Sequence, residues 1–170
     1  LENSNYVKKV VFPLEMLTAV SVFASLINLL INLILIALVK ISLFSNLGFE
    51  IFYIFIILFF FTLMMLGITW IFAAIGVFVR DLHHVTASSV QGLLFLSPIF
   101  YPISSLPSWL QPIILLNPIC VPVEQARKVI IFNESPDPYV LMVYGGCSAL
   151  ILFIGYYLFQ KTRKGFADVI

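Results

Sequence analysis

Thr18, Ser21, Ser25, Asn28 and Asn32 recur at i, i+3, i+7, i+10 and i+14 in an otherwise apolar run, so a helix would carry them as one polar stripe. The chemistry open to such a stripe is hydrogen bonding. It either meets another helix, where each bond in lipid is worth about 0.6–2 kcal/mol, or it lines a water path. Ser88, Gln91, Phe95, Pro98 and Tyr101 or Pro102 make a second, weaker stripe. Proton chemistry has little to work with. Glu15 stands beside Pro13 at the very start of its apolar run, too shallow for an ion site at mid-membrane, which speaks against a proton- or sodium-driven carrier. His83 and His84 are adjacent, so a helix points them about 100° apart, which does not suit a metal pair. Cys120 and Cys147 lack metal-ligand or disulfide spacing and read as small apolar packing residues. The sequence holds no paired carboxylates, no nucleophile beside a base and no phosphate-binding glycine loop. No catalytic residue, metal site or cofactor is expected in this chain.

The elements that carry these residues follow from composition. The chain is 62% hydrophobic and 10% charged, whereas soluble domains run at about 45–50% and about 25%. That is an all-α, polytopic membrane protein. Four apolar runs, 14–39, 51–79, 85–103 and 139–159, reach the roughly 20 residues needed to cross a bilayer. They are too long, and do not alternate as required, for barrel strands. The net charge of +1 points to no nucleic-acid partner. Leu1 is not a start methionine and no signal peptide follows it, so the chain reads as the C-terminal part of a longer one. With both ends inside, Lys8, Lys9, Arg80, Lys161, Arg163 and Lys164 lie inside, against Lys40, Arg127 and Lys128 outside, which favours a cytoplasmic C-terminus. Gly145 and Ala149 make a small-xxx-small pair suited to close helix packing.

One stretch resists a straight helix. "FLSPIFYPISSLPSWLQPIILLNPICVP" carries prolines at 98, 102, 107, 112, 118 and 122. Each removes a backbone donor, and unpaired backbone in hydrocarbon costs several kcal/mol. The stretch could be a plain outer loop lying on the membrane, but "QPIILLNP" has few polar residues for that. It is expected instead to leave the bilayer and dip back as short helical pieces, giving a re-entrant region over 104–138. Ser108 is a candidate cap, and Trp109 sits at the interfacial level. "PVEQARKVIIF" should form about two amphipathic turns ending near Asn133, with Glu124 and Lys128 as an i,i+4 pair.

Ahead of the first run, "ENSNYVKKVVFPLE" reads as a short interfacial helix. Asn3 or Ser4 would cap it, Tyr6, Val7 and Val10 would form its apolar face, and Lys8 and Lys9 its basic end. Pro13 separates it from the span. It serves equally as a membrane anchor or as a handle for a cytoplasmic motor.

Taken together, "NYVKKVVFPLE", "RDL" after the second run, "LLFLSPIFYPISSLP", "LLNPI" and the tail "KGFADVI" resemble the permease subunit of type-2 ABC exporters. The likeness is to the branch that exports lipid-linked O-antigen, capsule or teichoic acid chains. It covers essentially the whole chain and departs at Thr18, where a second proline is expected. It implies that Asn5, Tyr6, Val7, Lys8, Lys9, Val10 and Phe12, within 1–13, form the helix that docks on an ATPase subunit, with Arg80 and Asp81 nearby. It implies that Pro98 to Pro118 form an outer gate, where Phe95, Phe100, Tyr101 and Trp109 could face sugar rings, alongside Pro98 and Pro102. Residues 160–170 become a cytoplasmic tail. The resemblance further implies a bacterial cytoplasmic (inner) membrane, a second permease copy, and ATP with Mg2+ held on the partner subunit. Two other readings remain. One is a type-2 ABC exporter of drugs or small lipids, and the other a non-ABC membrane scaffold subunit.

Overall fold

A computed structural model describes residues 14–44, 48–79 and 82–163. Every regular element among them is helical. Helix α1 covers Leu14–Phe44, a stretch without proline or glycine, and so runs past the expected end at 39. Lys40 does not stop it, because its amine leaves the helix to donate to Asn133 Oδ1 at 2.6 Å. A 3-10 turn at Phe49–Phe52 leads into α2, Tyr53–Gly76.

Helix α3 is Leu82–Phe95, so the expected run 85–103 is regular helix only as far as Phe95. Pro98 has no N–H to give, and it biases Ser97 away from helical geometry, so the helix stops before it. At about 1.5 Å per residue, α3 is shorter than the hydrocarbon core. Short pieces follow: a 3-10 turn at Ile103–Ser105, α4 at Gln111–Leu115, and α5 at Cys120–Arg127. The last runs into a π-helical turn, Lys128–Phe132. Helix α6 covers Pro138–Arg163. Among the described residues three helical stretches, not four, are long and apolar enough to cross a membrane: Glu15–Leu43, Phe49–Gly76 and Pro138–Arg163.

Helices α2 and α6 form the core and run in the same direction, the start of one beside the start of the other. A Cβ on Gly67 would lie 2.6 Å from the Ile151 backbone, and one on Gly155 would press on the Gly67 carbonyl. The two backbones therefore touch where these glycines face each other. Gly145 gives way to the Phe60 ring, whose nearest atom lies 2.8 Å from a would-be Cβ. Ala149, the expected partner of Gly145, is exposed, and the close contact belongs to Gly155 instead. Near one end Ile54, Ile57, Val129, Ile130 and Leu141 cluster, and near the other Ala74 and Phe159.

Helix α1 lies on this pair with none of its described side chains fully buried. A groove of about 430 Å³ separates it from α2, lined by Ser21, Ser25, Thr62 and Thr69 among apolar side chains. Each of these hydroxyls donates within its own helix: Ser21 to Leu17 O, Ser25 to Ser21 O, Thr62 to Leu58 O and Thr69 to Met65 O. Thr18 does the same to Glu15 O. Their protons are thus engaged locally rather than with a neighbouring helix.

Candidate functional site

The proline-broken stretch between α3 and α6 is the most irregular backbone described, and polar side chains hold it together. Arg127, in the last turn of α5, is the principal donor. Its guanidinium donates to the carbonyls of Pro98, of Ile99 at 3.3 Å and of Tyr101 at 3.5 Å. It also pairs with Glu124 Oε1 at 2.9 Å. That same oxygen accepts the Ile103 N–H at 3.1 Å. One ion pair therefore takes up backbone groups that the prolines leave without helical partners. Lys128, the expected partner of Glu124, is replaced by Arg127 at i,i+3.

Asn117 serves the end of α3. Its Nδ2 donates to Leu93 O at 3.2 Å and to Ser97 Oγ at 2.9 Å, while its Oδ1 accepts Ile119 N–H at 3.0 Å. Asn117 and Ser97 are both buried, so the orphan carbonyl of a helix terminus is met by a side chain rather than by water. Tyr144 fastens the stretch to α6 by donating to Pro118 O at 2.9 Å. Ser108 does not cap α4: Leu110 holds the cap position without a side-chain bond, and Pro112 supplies the early proline. The amphipathic turns end at Asn133 as expected, in the left-handed region at φ 54°. There Asn133 Oδ1 accepts from Lys40 and from Gly48 N–H at 3.3 Å, and Gln125 accepts Asp137 N–H at 2.9 Å.

The expected gate residues separate into two sets. Pro98 is buried under the Arg127 guanidinium, and Tyr101 is half-buried with its hydroxyl on Phe95 O at 3.1 Å. Phe95, Phe100 and Trp109 are 72%, 73% and 69% exposed, which leaves their ring faces open, and Pro102 is exposed too. Cys120 is fully buried, and burial first, then the Glu124 charge, pushes its thiol up to about 11. Asn5, Tyr6, Val7, Lys8, Lys9, Val10, Phe12, Arg80 and Asp81 lie outside the described residues. The residues missed from sequence are Arg127, Asn117 and Tyr144. A Glu-x-x-Arg pair and an Asn-Pro step inside a proline-rich apolar stretch were the available signals.

At the far end of the bundle, Glu15 meets the last turns of α6. Its Oε1 accepts from Gln160 Nε2 at 2.6 Å and pairs with Arg163. The start of α1 and the end of α6 therefore share one end, and the broken stretch packs at the other, against the first turn of α2.

Over 107 residues the chain is 29% identical to the O-antigen export system permease protein RfbA of Myxococcus xanthus. That match covers 62% of this chain and 41% of that protein, so the chain spans about two fifths of its relative's length. The model of the family described as "ABC-2 type transporter" matches residues 1–131. Multiple apolar helices and this match over most of the chain agree: the protein belongs to the ABC-2 type transporter family, as a membrane component.

Proposed function

We propose that this chain is part of the permease of an ATP-driven exporter that moves a lipid-linked polysaccharide, of O-antigen, capsule or teichoic acid type, across a bacterial cytoplasmic membrane. The observation that carries the reading is the broken stretch. Part of its backbone is paired internally through Glu124, Arg127 and Asn117, which lowers the cost of placing those peptide groups at membrane depth. It also presents the open aromatic faces of Phe95, Phe100 and Trp109. Aromatic rings of this kind stack on the apolar faces of sugars, and the export of O-antigen by the relative named above supports the same cargo class.

In this reading the stretch is a re-entrant outer gate, and α3 with its continuation makes the fourth crossing. Two copies stand side by side. ATP and Mg2+ act on a separate cytoplasmic subunit, docked on Asn5 to Phe12 and near Arg80 and Asp81. This chain's own part is to bind, open and close. Both its ends are cytoplasmic, in keeping with the shared location of Glu15 and Arg163.

The test is a gentle-detergent pull-down of the full-length protein with mass spectrometry, together with an export assay. Near-stoichiometric recovery of an ATPase, lost in the Val7→Asp/Val10→Asp variant along with export, is the expected result. Normal export from that variant overturns the reading. Transport of a drug or a small lipid in place of a glycan overturns the cargo alone.

A further inference from the structure

Glu15 closes the pattern "KKVVFPLE", yet docking of the residues before it leaves this carboxylate without a role. Among the described residues its side chain is joined to α6: Oε1 accepts from Gln160 Nε2 at 2.6 Å and pairs with the Arg163 guanidinium. Stability accounts for only part of this contact. Glu15 is 15% exposed but Arg163 is 46% exposed, and ion pairs open to solvent contribute little. The other carboxylate oxygen, Oε2, is buried with no hydrogen-bond partner, a destabilising arrangement. Trp70 Nε1 is likewise buried and unmet, on a side chain packed against the Ala74 and Phe159 cluster one residue from Gln160.

Helix α1 carries such a tie at each end. With no fully buried side chain among its described residues and a groove beside it, it is held at its start by Glu15 and near its end by Lys40 on Asn133. Its end contacts thus tie its first turn to α6 and its last turns to the residue that ends the π-helical turn. We infer that Glu15 is a positioning residue that registers the first turn of α1 to the last turn of α6, so that displacement of the segment ahead of α1 reaches both helices. The inference rests on the reading of the chain as an ATP-driven permease and concerns how the two machines are linked.

The experiment uses the full-length permease with its ATPase subunit in proteoliposomes and compares wild type, Glu15→Ala, and the exchanged pair Glu15→Arg/Arg163→Glu. Three quantities are read: ATPase recovered per permease, ATP hydrolysed, and cargo exported. In Glu15→Ala the recovery and hydrolysis should stay within about twofold, while export per ATP falls at least about fivefold, the lower range for coupling between sites. The exchanged pair should regain most of that loss. Unchanged export per ATP in Glu15→Ala overturns the inference. So does a variant in which export, hydrolysis and ATPase recovery fall together and the exchange restores none of them, because that is the pattern of a folding contact. Failure of wild type to bring down any ATPase is a separate result, and it overturns the exporter reading on which the inference stands.

Discussion

Arg127 and Glu124 lie 2.9 Å apart on α5, and between them they hold four backbone groups of the chain from Pro98 to Ile103. Both side chains are largely withdrawn from solvent, at 16% and 20% exposure. The pair does what a helix would otherwise do for that backbone, since prolines forbid the helix itself.

Arg127→Met leaves Glu124 without its cation and three carbonyls without donors. Removing one partner from a pair so little exposed costs about 3–5 kcal/mol, less the share that water entering the loop returns. Thermal unfolding in detergent should show the loss, and hydrogen exchange should accelerate at Ile103 before it does in α2. Unchanged exchange there would mean that the pair does not hold this segment.

Gly155→Ala and Gly67→Ala each place a methyl group into backbone of the facing helix. Overpacking of this kind costs about 1–3 kcal/mol or more, and neither helix can yield without separating. Gly146→Ala and Gly92→Ala meet nothing within 4 Å, so the better helix propensity of alanine should leave stability level or raise it by up to about 1 kcal/mol. A thermal-stability series over the four variants checks the contrast.

Asn117→Leu has nearly the volume of the native side chain but no donor for Leu93 O and Ser97 Oγ, both engaged in the native fold. A buried acceptor left unmet costs about 1–3 kcal/mol. The end of α3 should fray, which site-directed spin labels at exposed Phe95 would report as increased mobility. Unaltered spectra would count against the cap.

Cys120 should resist alkylation. Its thiol is raised from 9.0 to about 11 by burial and by Glu124, which lowers the thiolate fraction near pH 8 about a hundredfold. Maleimide labelling in a Cys147→Ser background measures this. Because the folded state holds the proton more tightly, the effect on stability is nil below pH 9 and unfavourable as pH rises from there toward 11. Rapid labelling at pH 8 in folded protein would contradict the assigned burial.

Much of the architecture is legible in the order of residues alone. Long apolar runs without proline must be helices in a bilayer, because no other local structure pairs every peptide group within one segment. Thus α1, α2 and α6 stand where composition puts them. The prolines likewise announce that the stretch from Pro98 to Pro122 cannot be one straight helix, although α3 ends at Phe95, short of the expected 103. The amphipathic pattern of "PVEQARKVIIF" places an end near Asn133. What remained hidden is partnership. Gly145 with Ala149 is as good a packing motif on paper as Gly67 opposite Gly155, and only the register of α2 on α6 makes the second pair the real contact. In lipid the buried and exposed faces of a helix are equally apolar, so no periodicity marks the packed face. Arg127 reaches residues 26 to 29 positions away, and Glu15 reaches Arg163 across 148. Hydrogen-bonding capacity is written in residue type, but which carbonyl or carboxylate receives the bond depends on where the folded helices bring distant segments together.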